Sequence, residues 1–404
     1  MRLRIERLGH LGDGIAKGPV FVPLALPGEL VEGRLSGNRL EDVKIVTPSP
    51  DRVRPLCPHY RSCGGCALQH ASDTFVERWK GEVVRHAIEA QGLEAPIVAV
   101  HTSPPASRRR ATLAGRRLKK GSVVGFHGRA SGTIAEIPDC RLLHPALTGA
   151  LPLLHELTPL AASRKAEAGF ALTFSEAGLD LVVKSARALD VTLRQRLAEL
   201  AEGHDLARLM WADELIAARR PPVQRLGRAP VVPPPGAFLQ ATREGEAALV
   251  RAVARAVAGH GRIVDLFSGC GTFSLPLAER AEVHAVEGDE AMLAALDAGW
   301  RATPGLHRTS HEKRDLFRRP LTGEELSAYD AAVLDPPRAG ARAQVAEMAR
   351  SALRTVAMVS CNPVTFARDA RVLARAGFAI EWIEVIDQFR WSPHVELAAL
   401  LRRG

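Results

Sequence analysis

Long apolar runs, a signal-peptide core and a disulfide framework are all missing from this sequence. No run approaches the roughly 18 apolar residues that a bilayer-spanning helix needs, and the opening MRLRIE lacks the apolar core of a secretory signal. Six cysteines in 404 residues are too few for a disulfide scaffold. These absences argue against membrane-spanning and disulfide-rich secreted classes, and they predict a cytoplasmic protein of two or three domains without a membrane partner.

Acidic residues are outnumbered overall and absent from one segment. Lys and Arg total 54 against 45 Asp and Glu, and the isoelectric point is about 9.6. Residues 107–130 carry eight arginines and lysines and no acid. A solvated face usually mixes charge signs, so this segment predicts a hairpin that contacts phosphates. A generally basic, arginine-rich proteome would explain the overall charge equally well.

The first 50 residues have the pattern of a small β module. The turn-rich LGDGIAKG is followed by VFVP and, after a Pro-Gly turn, by VEGRL, which are short strand patterns. The sequence GDGIAKG with VFVPLALPGELVEGRL resembles the TRAM domain, an OB-like barrel that grips RNA. Barrels of this type bind single-stranded nucleic acid, although an ordinary barrel without a ligand would show similar strands.

Four of the cysteines form a pattern with metal-site spacing. Cys57, Cys63 and Cys66 lie within ten residues, and Cys140 follows after a long excursion. Four thiolates can complete a tetrahedral shell around zinc or hold an iron–sulfur cluster, and spacing alone does not choose between them. The C-x₅-C-x₂-C arrangement slightly disfavours zinc, because zinc ribbons usually pair two Cys-x₂-Cys knuckles.

A proline-rich connection near residues 219–236 leads into alternating strands and helices, the pattern of a doubly wound parallel sheet. Within it, VDLFSGCGTF predicts a strand, a glycine turn at Gly269 and a helix start that favours negative groups. Strand-like runs end at Asp265, Glu287 and Asp335, and an acid after the second strand can accept bonds from ribose hydroxyls. The turn is shorter than that of dinucleotide binders, which indicates S-adenosylmethionine rather than NAD. Asp315 would bond the adenine or cap a helix.

The thiol of Cys361 is predicted at the carboxyl end of another buried strand. The apolar run of residues 356–359 precedes it, and Asn-Pro stops the strand directly after it. Open α/β sheets bind their ligands at this edge. A lone cysteine is otherwise most often a small buried hydrophobe.

The motifs together resemble the RNA uracil-C5 methyltransferase family over nearly the whole chain. They are CPHYRSCGGC with Cys140, FLQ at residues 238–240, DLFSGCGTF, VEGDEAML, LDPPR, VSCNPVTFARD and the closing PHVE. The resemblance implies a class I S-adenosylmethionine-dependent α/β fold with a mostly parallel seven-stranded sheet (226–404). It also implies an N-terminal TRAM-like OB barrel (1–50) and a central α+β iron–sulfur domain (51–225). The TRAM and iron–sulfur segments indicate the branch that modifies 23S rRNA, with tRNA as an alternative substrate and no obligate protein partner.

The resemblance also implies roles for individual residues. A four-iron, four-sulfur cluster would be held by the four cysteines; Gln240, Glu287 and Asp335 would contact cofactor or target base; Cys361 would be the nucleophile and Glu396 the base. The family usually has Asn two residues after the Gln, and Thr242 stands there in this chain. Phe238 would either support an extruded base or pack in the core.

The chemistry gives these residue types a reason. Carbon 5 of uracil is a poor nucleophile, so a thiolate must first add at carbon 6, and a carboxylate must later remove the carbon-5 proton. An amino-directed N-methyltransferase would share Asp335-Pro-Pro but would not need Cys361. A non-catalytic, zinc-containing RNA-binding protein would not need the glycine turn, and a cytosine-C5 enzyme usually has its nucleophile after proline or threonine.

Overall fold

The computed structural model describes residues 1–184 and 187–404 and contains a barrel and two large sheets. The barrel strands are β1 (Arg2–Leu8), β2 (Gly14–Ala16), β3 (Val20–Val22), β4 (Leu30–Ser36) and β5 (Arg39–Thr47), closed in the order β1-β2-β3-β5-β4. Ile5, Val22, Val31 and Leu40 fill its interior. Burial of alternate residues from short strands matches the predicted pattern, so the expected N-terminal barrel is confirmed, and it has five strands.

The middle of the chain supplies a second sheet with helices on it. Its elements are α1 (Asp73–Glu89), β6 (Ile97–Thr102), β7 (Arg110–Arg117), β8 (Ser122–His127), β9 (Ile134–Glu136), α2 (Pro145–Gly149), α3 (Leu151–Ala161), β10 (Ala168–Ser175), β11 (Gly178–Lys184), α4 (Val191–Gly203), β12 (Arg208–Trp211) and β13 (Glu214–Ala218). The sheet order is β13-β12-β11-β10-β7-β8-β9. The antiparallel pair β7 and β8 confirms a hairpin in the basic segment.

The last part of the chain forms the doubly wound sheet. Its elements are β14 (Gln224–Leu226), β15 (Ala229–Val231), α5 (Arg243–Ala256), β16 (Arg262–Leu266), α6 (Ser274–Leu277), β17 (Glu282–Glu287), α7 (Glu290–Arg301), β18 (Thr309–Lys313), α8 (Gly323–Leu326), β19 (Ala331–Leu334), α9 (Arg342–Arg350), β20 (Thr355–Ser360), α10 (Pro363–Arg375), β21 (Phe378–Asp387) and β22 (Glu396–Arg403). The order is β18-β17-β16-β19-β20-β22-β21-β6, with β22 antiparallel to both neighbours. The strand order switches sides at β16, because β17 and β18 lie on one side of it and β19 and β20 on the other, and this opens a ligand crevice at the carboxyl ends of the strands.

The sheet has eight strands rather than the expected seven. The extra strand is β6, which comes from the middle segment and runs parallel to β21. Helix α1 packs beside α10, and its Val84 and Ile88 are buried in the same core as β19 and β20. The eighth strand covers the edge that β21 would otherwise expose, and the 51–225 segment thereby contributes to the catalytic sheet.

Within residues 1–184 and 187–404, no helix is both long enough and apolar enough to cross a bilayer.

Candidate active site

The glycine turn after β16 is built from strained and glycine-only conformations. Phe267 has φ +64° and Gly271 has φ +91°. A Cβ on Gly271 would lie 2.9 Å from the side chain of Leu296, so only glycine fits without a shift. Strain of this kind is found at ligand-binding turns.

Glu287, at the end of β17, binds the amides of this turn. Its carboxylate accepts hydrogen bonds from the backbone N–H of Gly269 at 3.0 Å and of Gly288 at 2.7 Å. The side chain is therefore held at the mouth of the turn, where the sequence predicted a cofactor contact.

Asp265 lies beneath the turn and is completely buried. Its Oδ2 accepts a hydrogen bond from Ser274 Oγ at 2.5 Å, whereas its Oδ1 and the hydroxyl of Ser268 are buried without a partner in the described residues. Burial raises the pKa of Asp265 to about 7. Unpartnered polar atoms at a strand end indicate a site built for a ligand.

Asp315 follows β18 by two residues and has a local role. Its Oδ1 accepts hydrogen bonds from the backbone N–H of Phe317 at 3.0 Å and of Arg318 at 3.3 Å. Residues 316–318 form a turn and not a helix, so Asp315 caps this turn, and its contact with adenine stays a prediction. The ring of Phe317 lies 5.4 Å from that of Phe267, between centroids.

The register of the sheet brings Cys361 and Glu396 together. Ser360 at the end of β20 pairs with Leu397 of the antiparallel strand β22. Cys361, the residue after Ser360, therefore lies beside Glu396, the residue before Leu397. Asp335 follows β19, the strand on the opposite side of β20. Three groups from three neighbouring strands therefore share one site.

These three groups perturb one another. Burial raises the pKa of the Cys361 thiol, and the negative charges of Glu396 and Asp335 raise it further. Burial, and then the charge of Asp335, raises the pKa of Glu396 well above its usual range, while Arg110 opposes that shift. Burial and Asp265 raise the pKa of Asp335 to about 7. Such mutual shifts are typical of catalytic centres.

Cys361 is half-buried, and hydrogen bonds of Asn362 hold the loop that follows it. Asn362 caps α10 by accepting a hydrogen bond from the Val364 N–H at 3.1 Å, and its amide donates to the carbonyl of Arg338 at 3.1 Å. The Asn-Pro pair after the thiol thus stops the strand, as predicted, and also joins it to the loop after β19.

Gln240 and Thr242 precede helix α5. Oε1 of Gln240 accepts a hydrogen bond from Gln388, which also donates to Glu396. Thr242 caps α5 through the Gly245 N–H at 3.0 Å, and its hydroxyl bonds Ser103 at 2.7 Å. Threonine therefore fills a structural place at the position where the family usually has Asn. Sequence reasoning missed Gln388, because a lone glutamine in a loop carries no motif.

Phe238 is 55% exposed, so the core-packing alternative is wrong. The guanidinium of Arg110 lies 4.3 Å from its ring centroid. Since Arg110 also interacts with Glu396, the ring is close to the site and its remaining surface is exposed.

An open cleft of about 610 Å³ reaches Cys361 from the barrel. Its walls come from the loop after β1, from α1, from the start of α10 and from residues 393–395. Arg7, Arg78 and Arg338 contribute positive charge along it, and Glu6 and Glu82 contribute negative charge.

The basic hairpin differs from the expected phosphate-contacting surface. Arg109 is buried, where it donates to the carbonyl of Gln240 at 3.0 Å and pairs with Glu246 at 2.5 Å. Burial also lowers the pKa of Arg108. Arg117, Lys119 and Lys120 at the hairpin tip are exposed, so only these can meet phosphates freely.

The four predicted ligand cysteines line one small pocket and form no disulfide. Burial raises the pKa of Cys66 to about 12 and also raises those of Cys63 and Cys140. Within residues 1–184 and 187–404, however, no set of three or more His, Cys, Asp or Glu side chains is placed to hold a metal ion. The four cysteines thus line one pocket, but their side chains are not arranged as a complete site for a single metal ion.

Known proteins match this chain over its full length. It is 42% identical over 406 residues to an uncharacterized RNA methyltransferase of Brucella suis, covering 100% of this chain and 98% of that protein. It is 32% identical over 430 residues to the 23S rRNA (uracil(1939)-C(5))-methyltransferase RlmD of Shewanella piezotolerans, covering 100% and 96%. A family model described as tRNA (Uracil-5-)-methyltransferase matches residues 301–404.

A solved structure has the same fold. The Pyrococcus abyssi tRNA (uracil-54, C5)-methyltransferase in complex with S-adenosyl-L-homocysteine aligns with a TM-score of 0.78 at 24% identity, covering 99% of this chain and 100% of that one. The strand order and the glycine turn are those of the class I methyltransferase fold. With the full-length relatives, the chain belongs to the RNA uracil-C5 methyltransferase family and is an RNA methyltransferase.

Proposed function

We propose that this enzyme methylates carbon 5 of a uridine in 23S rRNA through a covalent bond between Cys361 and carbon 6 of the ring. The observation that carries the proposal is the β20–β22 register, which sets a thiol beside a buried carboxyl group at the ligand-binding edge of the sheet. The relative named as a 23S rRNA enzyme supports the substrate, and a cytoplasmic location follows from that substrate.

In this mechanism the Cys361 thiolate forms a bond to carbon 6, and the electron pair of the ring's 5,6 double bond moves onto the carbonyl at position 4. S-adenosylmethionine, when bound, would supply the methyl group: the electron pair returns from the carbonyl to bond carbon 5 to the methyl carbon, and the sulfonium sulfur would keep the pair of the broken bond. Glu396 then removes the proton from carbon 5, the double bond re-forms and the thiolate leaves. The proton ends on Glu396, and the cycle closes when Glu396 releases it to solvent.

The direction of the pKa shift of Glu396 suits this role. A carboxylate with a raised pKa is a stronger base than an exposed one, so it takes a proton from carbon 5 more readily. Burial supplies the increase, and Arg110 opposes it. The exposed ring of Phe238 beside Arg110 gives the extruded base a surface on which to stack.

The cofactor residues would be those around the glycine turn. The backbone near Gly269 is open to a ligand, Glu287 is positioned for ribose hydroxyls, and the unpartnered Oδ1 of Asp265 and hydroxyl of Ser268 fit a polar group. Gln240 and Asp335 would complete the contacts on the substrate side, and Asp315 would lie at the adenine end. Each assignment is a proposal about binding.

The four-cysteine pocket fits an iron–sulfur cluster as a structural group. Cys63 Sγ accepts a hydrogen bond from the Gly65 N–H at 3.3 Å, and Arg129 donates to the Cys66 carbonyl at 2.7 Å. N–H···S bonds and nearby cations stabilise anionic sulfur. A group held by Cys57, Cys63, Cys66 and Cys140 would tie both ends of the 57–140 segment together.

We therefore expect protein purified without oxygen to be brown and to contain iron and inorganic sulfide. Cys66→Ser should lose that iron, since a hydroxyl replaces a thiolate ligand. Cys270→Ser, which changes a buried cysteine outside the pocket, should keep it. Metal and sulfide analysis decides the matter, and stoichiometric zinc without sulfide would contradict the cluster.

The division of labour among domains is also a proposal. Residues 1–50 would grip RNA, 51–225 would hold the cluster and contact RNA, and 226–404 would perform the chemistry. The cleft that runs from the barrel to Cys361 supports this division, because an RNA strand bound at the barrel could follow it to the thiol. RNA would be the partner, with no obligate protein partner.

The target is tested by mapping 5-methyluridine in RNA from a deletion strain. We expect one or more marks in 23S rRNA to disappear and to return with the wild-type gene, but not with Cys361→Ala. Loss of a mark in tRNA instead would retain the chemistry and replace the substrate. An unchanged 5-methyluridine profile would contradict the proposed function.

A further inference from the structure

Gln388 is a buried glutamine in the loop between β21 and β22, and both ends of its amide are engaged. Its Oε1 accepts a hydrogen bond from the backbone N–H of Ala241 at 2.6 Å. Its Nε2 donates to Oε1 of Gln240 at 2.5 Å and to the carboxylate of Glu396. The side chain is 1% exposed. One amide thus joins the proposed base to a proposed substrate contact.

The direction of these hydrogen bonds follows from chemistry. A backbone N–H can only donate, so the Gln388 atom that faces Ala241 must be the oxygen. The other end is then an N–H₂ group, and the atoms facing it must be acceptors. Gln240 therefore turns its oxygen toward Gln388 and keeps its own N–H₂ as the end it can offer to a carbonyl oxygen of the target ring.

The loop that carries Gln388 is anchored at both ends by Lys80 of α1. The Lys80 ammonium is 2.5 Å from Oδ1 of Asp387 and donates to the carbonyl of His394 at 2.9 Å. Both side chains of this ion pair are buried, and removing one partner of such a pair is strongly destabilising because it leaves a buried charge unpaired. Gln388 thus has little freedom to leave its partners.

We infer that Gln388 is a positioning residue for the methyl transfer, an inference that rests on the proposed function. It orients the carboxylate of Glu396 toward the ring and fixes which end of the Gln240 amide faces the substrate. Its N–H also stabilises the ionised form of Glu396. This hydrogen bond opposes the increase in the pKa of Glu396 that burial and Asp335 cause, and Arg110 of β7 acts in the same direction. Cys361, directly after β20, also faces Glu396.

Gln388→Met tests this role, because methionine keeps the volume and removes both hydrogen-bonding ends. We expect kcat to fall roughly 10- to 100-fold, the range given by loss of one hydrogen bond to a charged group. KM for RNA and Kd for S-adenosylmethionine should change less than about twofold. Without the donor, the pKa of Glu396 rises, so the acid limb of the kcat–pH profile should move to higher pH.

Gln344→Met is the matched control. Gln344 is also a buried glutamine, and it lies outside the site. Its Oε1 accepts a hydrogen bond from the Leu321 N–H at 2.9 Å, and its Nε2 donates to the Leu321 carbonyl at 3.0 Å. It should lower Tm and leave kcat and the pH profile unchanged. If Gln388→Met behaves in the same way, the positioning role is overturned.

A second variant covers poor folding of the first. Gln388→Glu keeps the shape and an oxygen for Ala241 but replaces the donor by an acceptor, and it should lose at least as much kcat. A wild-type value of kcat in this variant would overturn the inference. If the wild-type enzyme itself forms no 5-methyluridine, the proposed function fails and the role of Gln388 fails with it, whereas an active wild type with an unaffected Gln388→Met enzyme refutes Gln388 alone.

Discussion

Cys361→Ala should abolish methyl transfer while RNA and S-adenosylmethionine still bind. The thiolate acts on the reacting ring and contributes little to ground-state binding, so the loss falls on kcat, on the order of 10⁴-fold or more. Single-turnover methylation of transcribed RNA, with binding measured in parallel, gives the two quantities separately.

Cys361→Ser is the companion variant. A serine hydroxyl keeps the size and polarity of the thiol but is a much weaker nucleophile at neutral pH, so it should be as inactive as the alanine variant. Residual turnover above about 1% in both variants would refute the covalent mechanism. That result would favour methylation of an exocyclic amine, for which Asp335 suffices and no thiol is required.

Glu396→Gln should stop the reaction after the methyl group has moved. Cys361 can still add and the methyl can still transfer, but the carbon-5 proton has no base to accept it, so the thiolate cannot leave. Methylated RNA should therefore stay bonded to the protein and survive denaturing electrophoresis. The double variant Glu396→Gln with Cys361→Ala must lose the adduct.

Glu384→Gln controls for the loss of a buried carboxylate. Glu384 lies on β21, is buried, and pairs with Arg255 and His101 away from the thiol. Its variant should be somewhat less stable and should accumulate no adduct. If Glu396→Gln instead turns over normally, or if its adduct persists without Cys361, the base is another group, with His394 and Asp335 next to test.

The strand-end residues were predictable because their signal is local. A run of apolar residues followed by an acid or thiol indicates the end of a buried strand, and parallel strands end at one edge of a sheet. Asp265, Glu287, Asp335 and Cys361 all obey this rule. The glycine turn was readable for a similar reason, since only glycine fits Gly271 against Leu296.

Other features were decided by packing between distant segments. Gln388 meets Gln240 across 148 residues, and β6 joins β21 although it precedes the whole catalytic segment. Arg109 lies in a segment without acidic residues, and that composition predicted a surface that contacts phosphates. Its charge is nevertheless buried against Glu246. Neither composition nor periodicity reports which buried partner a side chain will find.

The sequence by itself thus determined the parallel strands of the sheet, the glycine turn and the strand-end position of Cys361, because strand direction and turn conformation depend on residues adjacent in the chain. The tertiary structure alone decided the pairing of Cys361 with Glu396, the exposure of Phe238 and the bridging amide of Gln388. Those features depend on strand register and on burial of polar groups, and both are fixed only when segments far apart in sequence pack together.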